Sequence, residues 1–370
     1  MADGSASPAA KRFLAAREVF VQANPIIMPT SAALRPAPVL PFPGPDGADL
    51  WRDVQPHLAA LGRFFDEQVE AFEPQLQELV RYTFANQGKR IRPTLLFYGG
   101  WHEDGSILPE HVRAAAVVEL VHLATLVHDD VLDEATLRHR LPTVGRKFGA
   151  QAAVLLGDAL FSQALKLAAD FPTVEVCRAV ALATRRVCAG EIHQTLERGN
   201  PEFSVRDYFE VISLKTGELF AVSCLLGARL SGHPDAYVQA VRRFGMQLGI
   251  AYQIFDDVAD FCGDEGKIGK TLGTDLASGK FTLPLLWLLE RLTEAEAGVL
   301  RHAVLTGKAD LRELAARMKR HGVFAAVRER FEAELRAGED ELAKWGELAP
   351  TGRLLGLASF VRGQLARVQG

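Results

Sequence analysis

Through most of this chain, apolar residues recur at the spacing of an α-helix. Val54, Leu58, Leu61 and Phe65 follow one another at intervals of four, three and four residues, and the stretch 114–126 repeats a similar pattern. This spacing places the apolar side chains on one face of a helix, whereas the alternation typical of a half-buried β-strand is almost absent. The sequence therefore predicts an all-α fold of ten or more helices joined by short loops.

Interruptions of this periodicity predict where the helices end. They fall near residues 88–93, 99–109, 140–145, 171–174, 199–203, 232–234, 263–279 and 306–309. No self-similarity at a period of roughly 20–50 residues is visible, so a repeat architecture is not expected. Residues 1–50 lack the helical pattern and are rich in proline and alanine. We therefore expect an extended, partly disordered arm over residues 1–50 and one all-α domain over residues 51–370.

The charge balance and the cysteine usage exclude several classes of protein. With 42 Lys and Arg against 46 Asp and Glu, the net charge is −4, so no basic field is available for a nucleic acid. The hydrophobic content of 48% excludes wholesale disorder. The four cysteines stand singly, which predicts neither a disulfide scaffold nor a zinc module and favours the reducing cytoplasm. The apolar stretches 219–228 and 281–289 are shorter than the roughly 18 residues of a membrane span, so no transmembrane segment is expected.

The first chemically informative segment is acidic and follows an apolar run. On a helix, Asp129 and Asp133 are four residues apart and Asp130 and Asp133 are three apart, so three carboxylates crowd one turn. Like charges this close raise one another's pKa unless a cation lies between them. Oxygen ligands at such spacing suit Mg²⁺, which takes its remaining ligands from water and phosphates. Because acidic helix turns are usually solvated surface, one cluster alone does not establish a metal site.

The same Asp-Asp-x-x-Asp pattern occurs a second time, at Asp256, Asp257 and Asp260, again behind an apolar helical stretch. Two copies with apolar sequence before each are difficult to explain as solvated surface. Two such helices facing each other would form a site for several Mg²⁺ ions bound to a diphosphate. The sequence therefore predicts a multi-metal diphosphate site built from six aspartates.

Basic residues suited to phosphate accompany the two acidic clusters. Lys and Arg pair with phosphate oxygens, and glycine permits close approach of the backbone. Lys89 and Arg92 follow Gly88 in a loop that runs into a helix, and Lys215 with Thr216 interrupts a helical pattern. The basic residues that follow the two acidic clusters are Arg138, Arg140, Lys270 and Lys280. Together with the aspartates, these residues describe a site for two diphosphates.

These segments together resemble the trans-isoprenyl diphosphate synthases, also called polyprenyl synthetases. The resemblance covers roughly residues 51–365 and rests on the order and spacing of the motifs. The motifs are Gly88-Lys89-Arg90-Ile91-Arg92-Pro93, both Asp-Asp-x-x-Asp clusters, Gly157-Asp158, Lys215-Thr216, and Gly269-Lys270 followed by Asp275 and Lys280. The resemblance implies a large helical bundle around a deep central cavity, the isoprenoid synthase fold, commonly as a homodimer.

The resemblance also implies a role for each matched residue. The six aspartates would frame about three Mg²⁺ ions on an allylic diphosphate, with Mn²⁺ able to substitute, although not every Asp need be a ligand. Contacts to the allylic diphosphate are implied for Arg138, Lys215, Thr216, Gln253 and Lys270, with Lys280 as a further basic contact. Contacts to isopentenyl diphosphate are implied for Lys89, Arg92 and His122. The residues expected to act in the chemical step are Asp129, Asp130, Asp133, Arg138, Lys215, Asp256, Asp257 and Lys270.

The implied reaction joins isopentenyl diphosphate head-to-tail to dimethylallyl, geranyl, farnesyl or geranylgeranyl diphosphate. Breaking the allylic C–O bond places negative charge on the leaving diphosphate, which Mg²⁺ and basic side chains stabilise. The allylic cation requires a dry cavity, because water would quench it. The isopentenyl double bond attacks this cation, and a proton is lost to form a trans double bond. In the family, the released diphosphate takes that proton, so no protein nucleophile is required.

One position departs from the family pattern. The family usually has Arg-Arg-Gly after the first acidic cluster, whereas this chain has Arg138-His139-Arg140. The second Arg is expected to help bind isopentenyl diphosphate, and a neutral imidazole offers one donor instead of a bidentate fork. We therefore expect either that Arg140 substitutes in part or that His139 binds when protonated.

The length of the product is readable in part from the helix before Asp129. Ala124 and Thr125 lie about one turn deeper than Asp129, along the direction in which the product would grow. Family members with short products often have an aromatic residue there. Two small residues therefore predict an open tunnel and a product of roughly C30–C50. Candidates for a deeper floor are Val121, Val117 and Phe161.

Other interpretations of these motifs stay open at this point. A geranylgeranyl (C20) diphosphate synthase would have the same site and a shorter tunnel. A terpene cyclase shares the fold and one Asp-rich motif, but typically carries a different second metal motif, and it would not need Lys89 and Arg92. A head-to-head squalene-type synthase lacks the Gly-Lys loop. The regulatory subunit of a heteromeric synthase tends to lose the aspartates, and all six are present here.

Overall fold

The computed structural model of this protein describes residues 48–85, 88–139, 141–262 and 272–369. Within these ranges the chain forms sixteen α-helices and one two-stranded hairpin, which confirms the all-α prediction. The first eight helices are α1 Ala48–Val69, α2 Gln77–Ala85, α3 Ile91–Gly99, α4 Pro109–Leu132, α5 Val144–Phe148, α6 Ala150–Ala169, α7 Glu175–Leu196 and α8 Val205–Ile212. The last eight are α9 Glu218–Leu230, α10 Asp235–Cys262, α11 Thr274–Ala277, α12 Leu283–Leu289, α13 Glu294–Leu305, α14 Leu311–Arg320, α15 Val323–Leu342 and α16 Ala349–Gln369.

Three short elements complete the described chain. The strands β1, Leu137–Arg138, and β2, Leu141–Pro142, form an antiparallel hairpin after α4. A π-helical turn over Ser213–Gly217, called the π-turn below, joins α8 to α9 without a break. A 3₁₀ turn over Ala343–Trp345 follows α15. The predicted arm lies outside the described residues except for its last three, which already belong to α1.

The helix boundaries follow local capping chemistry. Ser204 begins α8 with a capping box, in which its hydroxyl accepts from the backbone N–H of Asp207 and the Asp207 carboxylate accepts from the Ser204 N–H. α4 starts with Pro109. Proline lacks a backbone N–H, but an N–H in the first turn of a helix would have no intrahelical acceptor, so no hydrogen bond is lost. The sequence predicted a break extending to Pro93, but α3 begins already at Ile91, because a proline in the first turn removes no intrahelical hydrogen bond.

The core surrounds the long central helices α4, α9 and α10. α4 packs against α6, α9 packs against α10, and α10 packs against α15. The predicted apolar positions of α1 are all buried. The predicted face of α4 is buried too, except that Leu126 is half-buried. Leu126 lies five residues after Val121, and a five-residue interval turns a side chain well away from the common face.

Both acidic segments lie in the C-terminal turns of central helices. α4 ends at Leu132 and Asp133 is its C-terminal cap, while α10 ends at Cys262, two residues after Asp260. The predicted interruption at Lys215 is the π-turn, a feature that occurs frequently at functional sites. The helix geometry therefore brings the acidic and basic candidates to the ends of the same core helices.

Glycines allow α7 and α10 to approach the π-turn closely. A Cβ atom on Gly190 of α7 would lie 2.8 Å from the Cβ atom of Leu214 and from the backbone nitrogen of Lys215. A Cβ atom on Gly217 would lie 2.4 Å from the Sδ atom of Met246 in α10. Both separations are shorter than van der Waals contact, so a larger residue at Gly190 would push α7 away from the backbone of the π-turn, and one at Gly217 would displace the Met246 side chain.

Among the described residues, two helical segments have the length and composition of a membrane span, although none was expected from the sequence because each apolar stretch ended at a charged residue. They are Ala150–Ala169, which is α6, and Val205–Leu230, with mean hydropathies of 1.4 and 1.5. The second segment is 78% buried inside the bundle, as expected of a core helix, whereas the first is 44% buried. Packing within the bundle therefore does not account for the apolar side chains that α6 leaves exposed.

Glu218, the first residue of α9, is a buried carboxylate that joins three helices. Its Oε1 atom lies 2.8 Å from Nη1 of Arg186 on α7, and its Oε2 atom lies 3.5 Å from Nη2 of Arg242 on α10. The Glu218 side chain is 8% exposed, and the two arginine side chains are 35% and 30% exposed. Removing the carboxylate would leave two partly desolvated cations without their partner.

We predict that Glu218→Ala lowers the free energy of unfolding by about 3 kcal/mol, because breaking a buried ion pair leaves uncompensated charge. Urea unfolding followed by circular dichroism measures the change. Glu341→Ala is the matched control, since Glu341 pairs with the half-exposed Arg243 and its loss should change the free energy by less than about 1 kcal/mol. An equal decrease in the free energy of unfolding in the two variants would show that Glu218 contributes no more to stability than a surface ion pair does.

Candidate active site

Asp130 of the first acidic cluster is held by Arg138 of strand β1. The Nε atom of Arg138 lies 3.0 Å from each carboxylate oxygen, and its Nη2 atom lies 2.7 Å from Oδ1. Burial lowers the pKa of Arg138, but its hydrogen bonds and ion pair with Asp130 outweigh burial and raise the pKa overall. The hairpin after α4 therefore folds back and places a permanent positive charge on the end of that helix.

Asp133 binds two basic side chains, one at each carboxylate oxygen. Arg198, just after α7, donates from Nη2 to Oδ1 over 2.7 Å, and Lys280, before α12, donates from Nζ to Oδ2 over 2.7 Å. Burial alone would raise the pKa of Asp133, but Lys280 and the other basic neighbours outweigh it and lower the pKa. Asp133 therefore stays ionised and connects α4 to two segments that are distant in sequence.

Lys215, carried by the π-turn, is shared between two helices. Its Nζ atom lies 3.5 Å from Oδ2 of Asp129 and 2.9 Å from Oε1 of Gln194, and it forms an ion pair with Glu191. Burial raises the pKa of Asp129 to about 6, with Lys215 opposing the rise. Burial lowers the pKa of Lys215, but Asp129 and Glu191 outweigh it, so the lysine is charged. Two carboxylates thus share one ammonium group.

A chain of hydrogen bonds connects Asp257 of the second cluster to the π-turn. Thr216 donates from Oγ1 to Oε1 of Gln253 over 2.8 Å, and Gln253 donates from Nε2 to Oδ1 of Asp257 over 2.8 Å. Tyr208 of α8 donates its hydroxyl to Oδ2 of Asp257 over 2.6 Å. Burial, reinforced by the charge of Asp275, raises the pKa of Asp257 to about 8. The two donors orient this carboxyl group without supplying a positive charge.

Asp260 and Lys280 link the second cluster to the first. Asp260 is fully buried and accepts from Oγ1 of Thr274 and from the backbone N–H of Asp275, each over 3.3 Å. The Nζ atom of Lys280 lies 3.7 Å from Oδ1 of Asp275 and 2.7 Å from Oδ2 of Asp133. One lysine therefore bridges the segment that holds Asp260 and the end of α4.

A pocket of about 90 Å³ opens beside the second acidic cluster. Five of the predicted residues line it, namely Lys215, Thr216, Gln253, Asp257 and Lys280. Asp256 is half-buried on the same helix as Asp257. Lys270 and Arg140 lie outside the described residues, so their predicted roles remain predictions from sequence.

The residues predicted to bind isopentenyl diphosphate include a direct contact. Nη1 of Arg92 lies 2.9 Å from Nε2 of His122, and the Arg92 guanidinium stacks on Phe220 at 5.1 Å from the ring centre. Burial and the charge of Arg92 lower the pKa of His122 well below its usual value, so the neutral ring accepts this hydrogen bond. Burial raises the pKa of Glu119, one turn earlier, against the pull of Arg92 and Arg90. Glu119 is thus a buried acid near two half-buried bases.

His139 stands over the glycine of the basic loop. A Cβ atom on Gly88 would lie 3.2 Å from Nε2 of His139. Partial burial, followed by the charges of Arg138 and Lys89, lowers the pKa of His139 and keeps the ring neutral at neutral pH. His139 therefore lies in the same neighbourhood as Lys89, but the local charge opposes the hypothesis that it binds in its protonated form.

Three residues other than glycine have positive φ in the described ranges, and all three adjoin predicted site residues. Arg90 and His139 have φ of 50°, and Glu134 has φ of 51°. Left-handed conformations at such residues cost about 1–3 kcal/mol each and concentrate at functional sites. Arg90 precedes α3, Glu134 follows Asp133, and His139 follows Arg138. The turns that present basic and acidic side chains are therefore held by their surroundings against local preference.

The residues predicted to control product length differ in exposure. Ala124 and Val121 are buried in the core, whereas Thr125 is half-buried and donates from Oγ1 to the carbonyl of His122 over 2.7 Å. Thr125 is thus the more accessible of the two positions before Asp129. Their role in chain length remains a prediction.

The Gly157-Asp158 pair of α6 serves the packing of α4. A Cβ atom on Gly157 would lie 2.1 Å from Nε2 of His128, and that nitrogen lies 3.0 Å from the carbonyl of Val154 and 3.6 Å from Oδ1 of Asp158. The ring of Phe161 lies 5.8 Å from that of His128. The glycine therefore gives the ring of His128, next to Asp129, room to bond to α6.

The aspartates fit a divalent metal ion by their chemistry. They offer only oxygen ligands, several are buried, and burial raises the pKa of Asp129 and Asp257 for want of enough nearby positive charge. In the part of the chain that the structure describes, no three or more His, Cys, Asp or Glu side chains converge on one point. Asp130 and Asp133 are instead held by basic side chains. A bound ion would take the place of such basic donors.

Several residues at the site were missed by the sequence analysis. They are Glu119, Glu191, Gln194, Arg198 and Tyr208. Glu191, Gln194 and Arg198 follow one another by three and four residues near the end of α7, which is a helical face that the spacing could have indicated. Tyr208 carries no such signal, because its contact to Asp257 spans 49 residues of sequence.

This chain belongs to the polyprenyl synthetase family, whose model matches residues 73–319. The all-trans-nonaprenyl-diphosphate synthase (geranyl-diphosphate specific) of Rhodobacter capsulatus is 31% identical over 259 residues, which is 70% of this chain and 79% of the relative. The heptaprenyl diphosphate synthase component 2 of Geobacillus stearothermophilus is 36% identical over 245 residues, which is 65% of this chain and 76% of the relative. The chain is therefore a prenyltransferase, as the motifs predicted.

Solved structures show the same fold. A decaprenyl diphosphate synthase from Rhodobacter capsulatus superposes with a TM-score of 0.79 and 30% identity, covering 87% of this chain and 99% of that one. A polyprenyl synthase from Caulobacter crescentus CB15, complexed with calcium and isoprenyl diphosphate, gives a TM-score of 0.77 and 28% identity, covering 85% and 96%. The isoprenoid synthase fold predicted from the motifs is confirmed, and the family implies dependence on a divalent metal.

We predict that His139→Ala raises the Michaelis constant for isopentenyl diphosphate by about 2- to 10-fold, the range expected for one lost neutral hydrogen bond. The Michaelis constant for the allylic substrate should stay unchanged, because His139 lies by Gly88 and Lys89 and not by the pocket beside α10. Arg140→Ala tests the substitute basic residue in the same assay. If the Michaelis constant for isopentenyl diphosphate is unchanged in both variants, neither His139 nor Arg140 takes the place of the second Arg of the family pattern.

Proposed function

We propose that this protein is a trans-polyprenyl diphosphate synthase that adds isopentenyl diphosphate head-to-tail to an allylic diphosphate. The observation that carries the proposal is the position of Lys280. Its Nζ atom lies 2.7 Å from Asp133 and 3.7 Å from Asp275, whose backbone N–H binds Asp260. Both acidic clusters therefore lie at one end of the bundle with a basic side chain between them, as a metal-bound diphosphate requires.

In this proposal the allylic diphosphate lies in the pocket beside α10. Lys215 and Lys280 would pair with its oxygens, and Thr216 and Gln253 would add polar contacts to fix its orientation. The aspartates would hold Mg²⁺, in about three copies, and the bound ions would supply positive charge to stabilise the departing diphosphate. Arg138 orients Asp130 at the same helix end through its hydrogen bonds to both carboxylate oxygens.

Isopentenyl diphosphate would bind on the side of Arg92, His122 and Lys89. Stacking on Phe220 and the hydrogen bond to His122 fix the Arg92 guanidinium before substrate arrives, so little ordering is left for binding. The neutral His122 does not repel the neighbouring bases. The isopentenyl double bond then attacks the allylic cation, the released diphosphate accepts the proton, and the protein needs no nucleophile of its own.

One assay tests the proposal. Purified protein is supplied with Mg²⁺, labelled isopentenyl diphosphate and each allylic primer in turn, and the products are separated by chain length. Linear diphosphates longer than C20 are the expected result, abolished by EDTA and restored by Mg²⁺ or Mn²⁺. A product ending at C20 would favour a geranylgeranyl diphosphate synthase, and cyclic hydrocarbons would favour a terpene cyclase.

For the product we propose roughly C30–C50, on the basis that Ala124 and Thr125 leave the path along α4 open. Small side chains at these positions place no bulk one turn below Asp129. The names of the similar proteins, heptaprenyl, nonaprenyl and decaprenyl diphosphate synthase, lie in the same range and support the proposal.

We predict that Thr125→Tyr shortens the product to roughly C15–C20, because an aromatic ring one turn below Asp129 would obstruct the growing chain. Thr125→Val is the control, since it keeps the volume and should leave the product ladder unchanged. Ala124→Phe should shorten the product as well, but this position is fully buried, so its thermal unfolding must be measured alongside. An unchanged ladder in a folded Thr125→Tyr variant would refute the assignment.

We further propose that two copies of the chain associate through α6 and α7. These two helices pack against each other and leave large apolar side chains exposed. The exposed residues are Val154, Leu155 and Leu165 on α6, and Leu182, Ile192 and Leu196 on α7. A second copy covering this face would account for the apolar surface of α6 without a membrane.

We predict that the protein elutes as a homodimer, at twice the chain mass of 40.4 kDa, when light scattering is combined with size exclusion. Leu155→Glu with Leu196→Glu should give a monomer, because both side chains are more than 60% exposed in the single chain and would be desolvated in the dimer. Val299→Glu on α13 is the matched control at an exposed apolar position of another helix. A wild-type monomer would instead favour a two-component enzyme, as the name of the Geobacillus relative suggests for that protein.

For the location we propose the cytoplasm. All four cysteines are free thiols, which supports a reducing compartment. For the domain organisation we propose an arm over residues 1–50 and one catalytic domain over 51–370.

A further inference from the structure

Arg198 is a basic residue of the pocket that none of the sequence motifs includes. It follows the C-terminal cap of α7 and lines the pocket together with Lys215 and Lys280. These three bases come from the turn after α7, the π-turn and the segment before α12, so three separate segments contribute positive charge to one small space. The same lining includes the carboxyl groups of Glu197, Asp257 and Asp275, so the pocket suits an anion that is accompanied by metal cations.

The guanidinium of Arg198 uses only part of its donor capacity. Nη2 donates to Oδ1 of Asp133 over 2.7 Å, and Nη1 donates weakly to the carbonyl of Leu132 over 3.4 Å. The buried Nε atom has no hydrogen-bond partner among the described residues. A guanidinium carries five N–H donors in a fixed fork. Arg198 can therefore donate further hydrogen bonds to an anion in the pocket that has two or more oxygens.

Arg198 lies in the turn two residues beyond the end of α7 and continues from the face of α7 that already serves the site. Glu191 and Gln194 precede it by seven and four residues, and both contact Lys215 of the π-turn. Residues at these intervals lie on one side of a helix. The close approach permitted by Gly190 brings this side against the π-turn, so Arg198 extends the same surface by one turn.

The state of Asp133 suggests what Arg198 does during binding. Each carboxylate oxygen already accepts a charged hydrogen bond, one from Arg198 and one from Lys280, so a metal ion bound at Asp133 would compete with both bases for the same two oxygens. If Asp133 takes up a metal ion, both bases lose an acceptor while they remain partly buried. A partly buried base without a partner is costly, and the oxygens of an incoming diphosphate are the natural replacement.

We propose that Arg198 is a diphosphate-binding residue, which Asp133 holds at the pocket until the diphosphate of the allylic substrate takes the place of the carboxylate. This inference rests on the proposed function, since it assumes that the pocket receives a diphosphate. It adds a third base to Lys215 and Lys280 and gives Asp133 a second task, the positioning of two bases before substrate binds.

The first experiment measures the equilibrium binding of inorganic pyrophosphate in the presence of Mg²⁺ by calorimetry. Arg198→Met should weaken binding by about 10- to 100-fold, the range for loss of charged hydrogen bonds, and Arg198→Lys by less. In turnover assays the Michaelis constant for the allylic substrate should rise while that for isopentenyl diphosphate stays unchanged. Arg320→Met, at an exposed arginine of α14 that does not line the pocket, is the matched control and should change none of these values.

The second experiment tests the exchange between carboxylate and diphosphate without metal. In EDTA, Asp133→Asn should bind pyrophosphate about 5- to 10-fold more tightly than the wild type, because the two bases are no longer held by a carboxylate. Adding Arg198→Met to Asp133→Asn should remove most of this gain. A gain that persists in the double variant would show that Lys280 alone is responsible and would overturn the assignment of Arg198.

The remaining outcomes also decide the matter. Unchanged pyrophosphate binding in folded Arg198→Met and Arg198→Lys variants would overturn the proposal. So would a shift in the Mg²⁺ requirement alone, since it would mean that Arg198 only orients Asp133. Pyrophosphate binding is measured without turnover, so a wild-type protein that binds pyrophosphate but forms no linear prenyl diphosphate would contradict the proposed function and not this inference.

Discussion

The pairing of desolvated carboxylates with basic side chains at the ends of the central helices is the interaction on which the rest of this structure depends. Asp133 with Arg198 and Lys280, and Glu218 with Arg186, join elements far apart in sequence, and Asp130 with Arg138 joins the end of α4 to the hairpin that follows it. A buried charge is tolerated only when it is paired, so these contacts fix where the helix ends and loops can lie. The net charge of −4 conceals this arrangement, because the opposite charges largely cancel in the sum.

Small residues make the pairing geometrically feasible. Gly190 and Gly217 let α7 and α10 approach the π-turn, and the π-turn in turn directs Lys215 toward Asp129 and Thr216 toward Gln253. Arg90, Glu134 and His139 have left-handed backbone conformations, and these let the chain turn sharply next to the site residues. The site is thus built from a rigid frame of core helices, with its local strain offset by the packing and ion pairs around it.

The two halves of the site use different chemistry. On the pocket side, Lys215, Lys280 and Arg198 are paired with aspartates of the first acidic cluster. Such a mixture of bases and acids suits an anionic ligand that is bound together with metal ions. On the other side, Arg92 is held by a neutral imidazole and an aromatic face, and Glu119 lies nearby as the buried acid. This second arrangement fixes the orientation of a guanidinium while leaving its charge largely available, which suits an anion bound without metal.

Much of the site could be predicted from sequence because its motifs are local. Each Asp-Asp-x-x-Asp cluster spans about one helical turn, and Lys89 and Arg92 lie three residues apart where the chain enters α3, so composition and spacing suffice to find them. The sequence pattern placed Leu126 on the buried face of α4, whereas it is half-buried. It also placed the start of α3 two residues too late, since periodicity locates helix faces better than helix ends. Arg198, Tyr208 and Glu119 were missed, because their importance arises from partners that the sequence does not reveal.

By itself, the sequence determined the all-α fold, the family and the chemical types of the site residues, because helical periodicity and short motifs are encoded in neighbouring residues. Only the tertiary structure decided which base meets which acid. Lys280 reaches Asp133 across 147 residues, and Arg198 reaches the same carboxylate across 65. Such contacts depend on helix packing and on the penalty for leaving a charge buried and unpaired, and neither quantity is local in sequence.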